Sequence, residues 1–354
     1  MKEHNTISKA IEKLFSKIQV LNLRNLNISE YNRNYLTKYI SNYSFYMSIY
    51  SQLLQKALKK LNKPVSDSTF IDYGGGCGIL SYLAKEIGFK TVVYNDINEI
   101  SVLDTRIISR SLSIEIDYYI CGDVEEFINE MNLCKIKPYL ICSIDVLEHI
   151  YDLDFWIKTI AKINSEYSLL FMTSANPGNP FIRHRLKKLH IKSENRGFEK
   201  NVRRENIFLN TSFLEERERI IRNEFPDLKN NDIKILSLKT RGLRIDDIEK
   251  VVCDYIQTGE ICYKIKHPTN TCDPYTGSWT EKLIDLKQLK ILIKSNNLIV
   301  DISNSFYGYS DNKILNIFKY ILNQLIRVSG PKNLFFSPAF TLEIQKSLTQ
   351  NIQY

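Results

Sequence analysis

The chain has 354 residues, enough for one large domain with additions or for two domains. Its 44% hydrophobic and 25% charged residues are those of an ordinary globular protein. No apolar run approaches the ~20 residues that cross a bilayer, and residues 1–13 are polar with no signal-peptide core, so no membrane span and a cytoplasmic location are expected. Seven cysteines, an odd number without metal-ligand or CxxC spacing, read as reduced thiols filling the core. The net charge of +8 reads as solubility, with an anionic partner such as nucleic acid, a phosphorylated sugar or a lipid headgroup as the other reading.

Residues 1–64 read as a helical cap. Ile7, Ile11, Leu14, Phe15 and Ile18 fall at helical spacing, Tyr31, Tyr35, Tyr39 and Tyr43 recur every fourth residue, and Pro64 ends the pattern. The four tyrosines are expected on one helix face, packing the cap; a lid over the reaction site, with Tyr43 against the acceptor, is the alternative. From Thr69 the pattern changes. Short strands at 69–71, 91–94, 114–120, 139–144 and 168–173 alternate with helices at 80–87, 98–111, 124–131 and 152–163, which predicts βαβ units and a parallel sheet. Residues 65–178 make up this core. Residues 179–280 carry charge-rich runs (RHRLKKLH, EERERIIRNEF) and no βαβ unit, and read as a mostly helical insertion. Alternation returns over 281–354, with helices at 284–297 and 312–328 and strands at 298–302 and 335–345.

The chemistry begins at Asp72-Tyr73-Gly74-Gly75-Gly76-Cys77-Gly78, a D-x-G-x-G-x-G turn between strand and helix. Glycine is needed where a chain turns sharply and a ligand meets the backbone. A dinucleotide fingerprint would need glycine at 79 or 81, where Ile79 and Ser81 stand, and a P-loop would need a following G-K-[ST]. Asp72 puts a carboxylate beside the loop, which suits a ligand with a cationic amine better than a pyrophosphate.

The pattern resembles the first motif of class I S-adenosylmethionine-dependent methyltransferases. That resemblance implies a Rossmann-like α/β fold, a mostly parallel seven-stranded sheet with an antiparallel last strand. It also implies S-adenosyl-L-methionine held by Asp72, Gly74, Gly76 and Gly78, and by Asp96 with Ile97 at the end of the second strand, where a carboxylate accepts from both ribose hydroxyls. Asp123 with Val124 then stands at the adenine. Ile144 and Asp145 open the run Ser143-Ile144-Asp145-Val146-Leu147-Glu148-His149, which resembles the segment after the fourth strand in small-molecule O-methyltransferases. Acids at strand ends also cap helices, and that reading stands beside the cofactor reading for Asp96 and Asp123.

His149 is the candidate general base, since an imidazole titrates near neutrality; a structural histidine beneath the cofactor is the other reading. Asp145, Glu148 and His149 share the D-x-x-E-H spacing, similar to the E-x-x-E-H run of RNA 3′-end methyltransferases that hold a divalent ion. Simple carboxylate–imidazole pairing is the reading preferred to metal, and His184 and His190 are the further imidazoles nearby. Arg183, in the basic run 183–190, is a candidate anion contact, against the plain reading of a solvated helix face. The turn-rich segment 267–280 offers Asp273, Tyr275 and Trp279 as contacts closing over an acceptor. A small-molecule or sugar hydroxyl is the expected acceptor, with RNA and a non-catalytic binding module as the alternatives.

Overall fold

Runs of consecutive apolar residues bounded by glycine and aspartate form strands buried on both faces, and the helices between them supply the cover. The computed structural model describes residues 2–197, 203–204, 207–208, 211–310 and 312–347, so parts of 198–210 in the expected insertion lie outside the described residues. The chain divides into two units. The first runs through Leu147, takes up Asp154–Asn179 and resumes at Leu286; the second comprises Glu148–Leu153 and Pro180–Asp285.

In chain order, α1 (Lys2–Gln19), α2 (Glu30–Ser41) and α3 (Tyr43–Leu58) precede the sheet. Then follow β1 (Thr69–Tyr73), α4 (Ile79–Ile87), β2 (Thr91–Asp96), α5 (Glu99–Ser111), β3 (Tyr118–Cys121), α6 (Val124–Leu133), β4 (Leu140–Ile144), α7 (Leu153–Ile160) and β5 (Tyr167–Thr173). The second unit adds α8 (Pro180–Asn195), the short pair β6 (Arg203–Arg204) and β7 (Ile207–Phe208), α9 (Phe213–Glu224), α10 (Asn230–Lys239) and α11 (Ile245–Thr258). The chain returns to the first unit with α12 (Leu286–Ser295), β8 (Ile299–Asn304), α13 (Lys313–Val328) and β9 (Phe340–Lys346).

The sheet order is β3-β2-β1-β4-β5-β9-β8. Strands β1 to β5 pair in parallel, and β9 runs antiparallel to both β5 and β8, pairing Thr173 with Phe340 and Asn304 with Phe340 at one end. This is the expected mostly parallel seven-stranded sheet with an antiparallel last strand. Phe70, Ile71, Val92, Val93, Leu140, Ile141, Leu169 and Leu170 are fully buried along its centre. Residues 1–64, read as a helical cap, share this core: Ile7, Leu14, Leu53, Leu54 and Ala57 pack in one cluster with Leu80 and Leu83 of α4.

Three expectations shift. The tyrosine series does not run along one helix, because Asn42 leaves helical geometry (φ −129°, ψ 39°) and α3 starts anew at Tyr43. The strand expected over 114–120 shrinks to β3, since Ser113 turns left-handed (φ 52°) and Ile114 and Ile116 are buried from a loop. The strand expected from Phe335 begins at Phe340; the preceding Pro338 has no N–H for the ladder, and the Ser337 hydroxyl instead donates to the Ser305 carbonyl.

In the second unit, Ile220, Ile221, Ile233, Leu236, Ile248 and Val252 of α9, α10 and α11 form a core of their own. Beside it Arg217, fully buried, donates to the Glu194 carboxylate at 2.5 Å and to the Ser237 carbonyl at 2.9 Å, and the Thr271 hydroxyl donates to Glu194 at 2.7 Å.

Candidate functional site

The site of the first unit is built where β1, β2 and β3 end side by side. After Tyr73 the loop 74–78 turns through three left-handed glycines, Gly74 (φ 70°), Gly76 (φ 54°) and Gly78 (φ 81°). Their reasons differ. A Cβ on Gly74 would lie 2.5 Å from Val146 and one on Gly78 2.7 Å from Thr105, so these two are needed for close packing. A Cβ on Gly76 would meet nothing within 4 Å, so at this residue the bare backbone faces open space.

Hydrogen bonds lace the three strand ends together. The Gly74 and Gly75 N–H groups both donate to the Asn95 carbonyl, at 2.8 and 2.9 Å, and Gly122 N–H donates to the Asp96 carbonyl at 3.0 Å. The Asp96 carboxylate spans the gap: Oδ2 accepts from Gly76 N–H at 2.8 Å and Oδ1 from Asn98 N–H at 2.9 Å. The Gly76 carbonyl accepts from Tyr94 at 2.6 Å and Thr105 at 2.8 Å. Burial raises the Asp96 carboxyl above its ordinary range. Ile97 beside it is exposed, an apolar side chain at the mouth of the turn.

Asp72 is buried, and its Oδ2 accepts from both the N–H and the hydroxyl of Ser81 in the first turn of α4, at 2.9 and 2.7 Å. Desolvation pushes its carboxyl up to about 7, and the nearby Asp96 adds to the shift while the Ser81 bonds oppose it. Asp123 caps α6: Oδ1 accepts from Glu125 N–H at 2.7 Å, and Glu126 returns a bond to the Asp123 N–H at 3.1 Å. Its helix-capping reading is therefore realised in the geometry, next to Gly122 and the Asp96 carbonyl. Val124 is buried behind it. Asp145, after the half-buried Ile144, is left-handed (φ 54°), and its Oδ1 accepts from Ser174 N–H at 2.7 Å, fixing the end of β4 to that of β5.

Two tyrosines of the N-terminal helices belong with this loop. Tyr39 and Tyr50 approach each other through their hydroxyls at 3.4 Å. Tyr50 is buried in one cluster with Cys77, and Tyr39 packs against it; burial raises both phenols. The regular tyrosine spacing was the signal for Tyr39, but it pointed to Tyr43. Tyr43 instead donates to the Ile11 carbonyl at 2.7 Å and packs on Phe15, so its phenol is committed to α1.

The remaining candidates lie in the second unit. His149 has Nδ1 2.7 Å from the Trp279 carbonyl, which makes Nδ1–H the donor, and its Nε2 lies 4.0 Å from Glu281 Oε1. Glu148, fully buried, and Glu281 bring carboxylate oxygens within 4.8 Å of that imidazole and of each other. His190 is buried with Nε2 3.0 Å from the Glu281 carbonyl, and His184 is exposed on α8 together with Arg183. The segment 267–280 holds itself. Asp273 is buried and accepts from Tyr275 N–H at 2.8 Å, the Tyr275 hydroxyl donates to Glu216 at 3.0 Å, and Trp279 stacks on Tyr151 and donates to its carbonyl at 2.9 Å. These three side chains, expected at an acceptor, are engaged in fixing the loop.

The sheet order, with one antiparallel strand inserted between the fifth and the outermost, decides the fold. The first unit has the Rossmann-like methyltransferase fold. No family model matches the chain. Over 119 residues, 34% of this chain, it is 25% identical to the ubiquinone biosynthesis O-methyltransferase of Pelagibacter ubique (strain HTCC1062), and the match spans 47% of that protein. Among solved structures, the chain is similar to a S-adenosylmethionine-dependent methyltransferase from Clostridium acetobutylicum, 12% identical, with 85% of this chain and 91% of that one aligned at a TM-score of 0.41. The plantazolicin methyltransferase BpumL in complex with SAH is 13% identical, with 96% and 99% aligned at a TM-score of 0.40.

Proposed function

We propose that the chain is a S-adenosylmethionine-dependent methyltransferase acting on a hydroxyl of a small molecule or sugar. The observation that carries this reading is Asp96 bonded to the Gly76 N–H, at the one loop glycine whose α-carbon faces open space. A carboxylate there accepts from vicinal hydroxyls of a ribose, while the exposed Ile97 offers an apolar face to a base and Asp123 an acceptor to its amino group. Asp72 Oδ1, the oxygen not taken by Ser81, answers the cationic amine. Tyr39 and Tyr50 pack with Cys77 of the loop and hold its far side. Bound cofactor supplies an electrophilic methyl on a sulfonium. The likeness to an O-methyltransferase over 119 residues supports oxygen as the acceptor atom.

His149 then serves as the base that takes the hydroxyl proton at Nε2. Its Nδ1–H bond to the Trp279 carbonyl fixes the tautomer, and Glu281 stabilises the imidazolium that forms. Methyl transfer depends first on alignment, so loss of the base lowers the rate without abolishing it.

A second reading rests on the Glu148, His149 and Glu281 set, whose oxygen and nitrogen donors suit a divalent cation that would bind the acceptor oxygen and lower its pKa. The further imidazole expected for an RNA 3′-end enzyme would have to come from elsewhere in the chain.

The test is calorimetry with S-adenosylmethionine and with its demethylated product, followed by transfer of labelled methyl to a panel of hydroxyl compounds and to RNA. Binding of both, and label on a small hydroxyl, is the expected result. Absence of binding sinks the enzyme reading, and label on RNA alone moves the acceptor to nucleic acid.

A further inference from the structure

An amphipathic helix at a protein surface normally turns its apolar stripe inward. Helix α13 does the reverse. Ile314, Ile317, Phe318, Ile321, Leu325 and Val328, spaced to form one stripe, are exposed by between 42% (Leu325) and 88% (Val328). The side turned to the body is largely polar. Asn323 accepts from Tyr307 N–H at 2.8 Å and donates to the Tyr307 carbonyl at 3.1 Å; Asn316 makes the same pair of bonds to Ser310, at 3.0 and 2.6 Å; Lys319 donates to the Ser310 hydroxyl at 3.2 Å. The helix is therefore fastened by backbone-directed amides with its apolar stripe left outside. Single exposed apolar residues are ordinary, but a continuous stripe of six is not.

We propose that α13 lies flat on an anionic lipid bilayer, with this stripe among the acyl chains. Charge selects that occupant. From Asn312 to Val328 there is no acidic residue, while Lys313 at one end and Arg327 at the other are exposed, the Arg327 guanidinium lying 5.6 Å from the Phe306 ring centroid on a stem long enough to turn to headgroups. A second copy of the chain fits less well: antiparallel helices would set Lys313 against Arg327, and parallel ones would set each cation against itself, with no carboxylate on the helix to pair either. The net charge of +8 acts in the same direction. The helix has 16 residues, about 24 Å at the α-helical rise and short of the ~30 Å hydrocarbon core, so it rests on the membrane and does not cross it.

The full-length chain is tested by co-sedimentation with vesicles of phosphatidylglycerol mixed with phosphatidylcholine, and with phosphatidylcholine alone. Binding to the mixed vesicles, weak or absent on the neutral ones and falling as salt is raised, is expected. The I317E/I321E variant, altered only at exposed positions, should keep its circular-dichroism spectrum and melting temperature and lose about tenfold or more in vesicle affinity. The K313E/R327E variant should lose the preference for anionic vesicles. Equal binding by wild type and I317E/I321E overturns the proposal, as does no binding to either vesicle. A lipid-free dimer that I317E/I321E dissociates overturns it in favour of self-association.

Discussion

A glycine whose Cβ would strike a neighbour and a glycine whose Cβ would meet nothing answer to different constraints. Gly76→Val puts a branched side chain into the space that a ligand would fill, and also strains a left-handed residue; cofactor affinity should fall below detection in calorimetry while the sheet remains, read by far-UV circular dichroism. Gly74→Val, with Val146 2.5 Å away, should instead lower the melting temperature. Asp96→Ala removes two bonds to backbone N–H groups and the proposed ribose acceptor together. A loss of roughly 2–4 kcal/mol in cofactor binding is expected, and unchanged affinity would remove Asp96 from the site.

Asp72 supplies a pH prediction. Its carboxyl is raised to about 7 in the folded chain, against about 3.9 unfolded, so folding favours the protonated form and this group's contribution to stability declines as pH rises from about 4 to about 7. A cationic amine beside it needs the ionised form. Cofactor affinity should therefore rise with pH up to about 7 and level off above, and Asp72→Asn should flatten the profile. Identical profiles for the two proteins would sink this role. For His149→Ala, turnover should fall more than cofactor affinity. Turnover unchanged by a strong chelator would dispose of the cation reading of Glu148, His149 and Glu281.

At the scale of elements, sequence patterning located every strand of the seven-stranded sheet, missed the short β6–β7 pair, and went astray where local geometry broke a continuing pattern. The glycine spacing stated its own structure, because a left-handed turn admits few other residues. The tyrosine period did not, because Asn42 interrupts the helix without interrupting the period; Tyr39 packs with the cluster that holds Cys77 of the glycine loop, while Tyr43 bonds to Ile11. Asp273, Tyr275 and Trp279 looked like ligand contacts because polar, turn-rich loops often are. Their partners, Glu216 and Tyr151, stand 59 and 128 residues away, beyond any local pattern. A shorter separation of 23 residues, still beyond any local pattern, hides the Glu194–Arg217 pair that anchors α8 to α9. Arg217→Ala leaves a carboxylate buried without its cation, and the second unit should lose about 3–5 kcal/mol in urea unfolding. The double variant E194Q/R217M should recover most of it.

At the scale of the molecule, β9 occupies an unusual place. Among the described residues it is the last strand along the chain, yet it lies between β5 and β8, and β8 is joined to the sheet through β9. On the ribosome, β5 with its Leu169, Leu170 and Phe171 is complete long before residues 340–346 emerge, and at 5–20 residues per second it waits roughly ten to thirty seconds with one edge unpaired. A chain cut just before Phe340 keeps the whole glycine loop and should still be insoluble, because the nascent protein then carries a sticky border that β9 would seal.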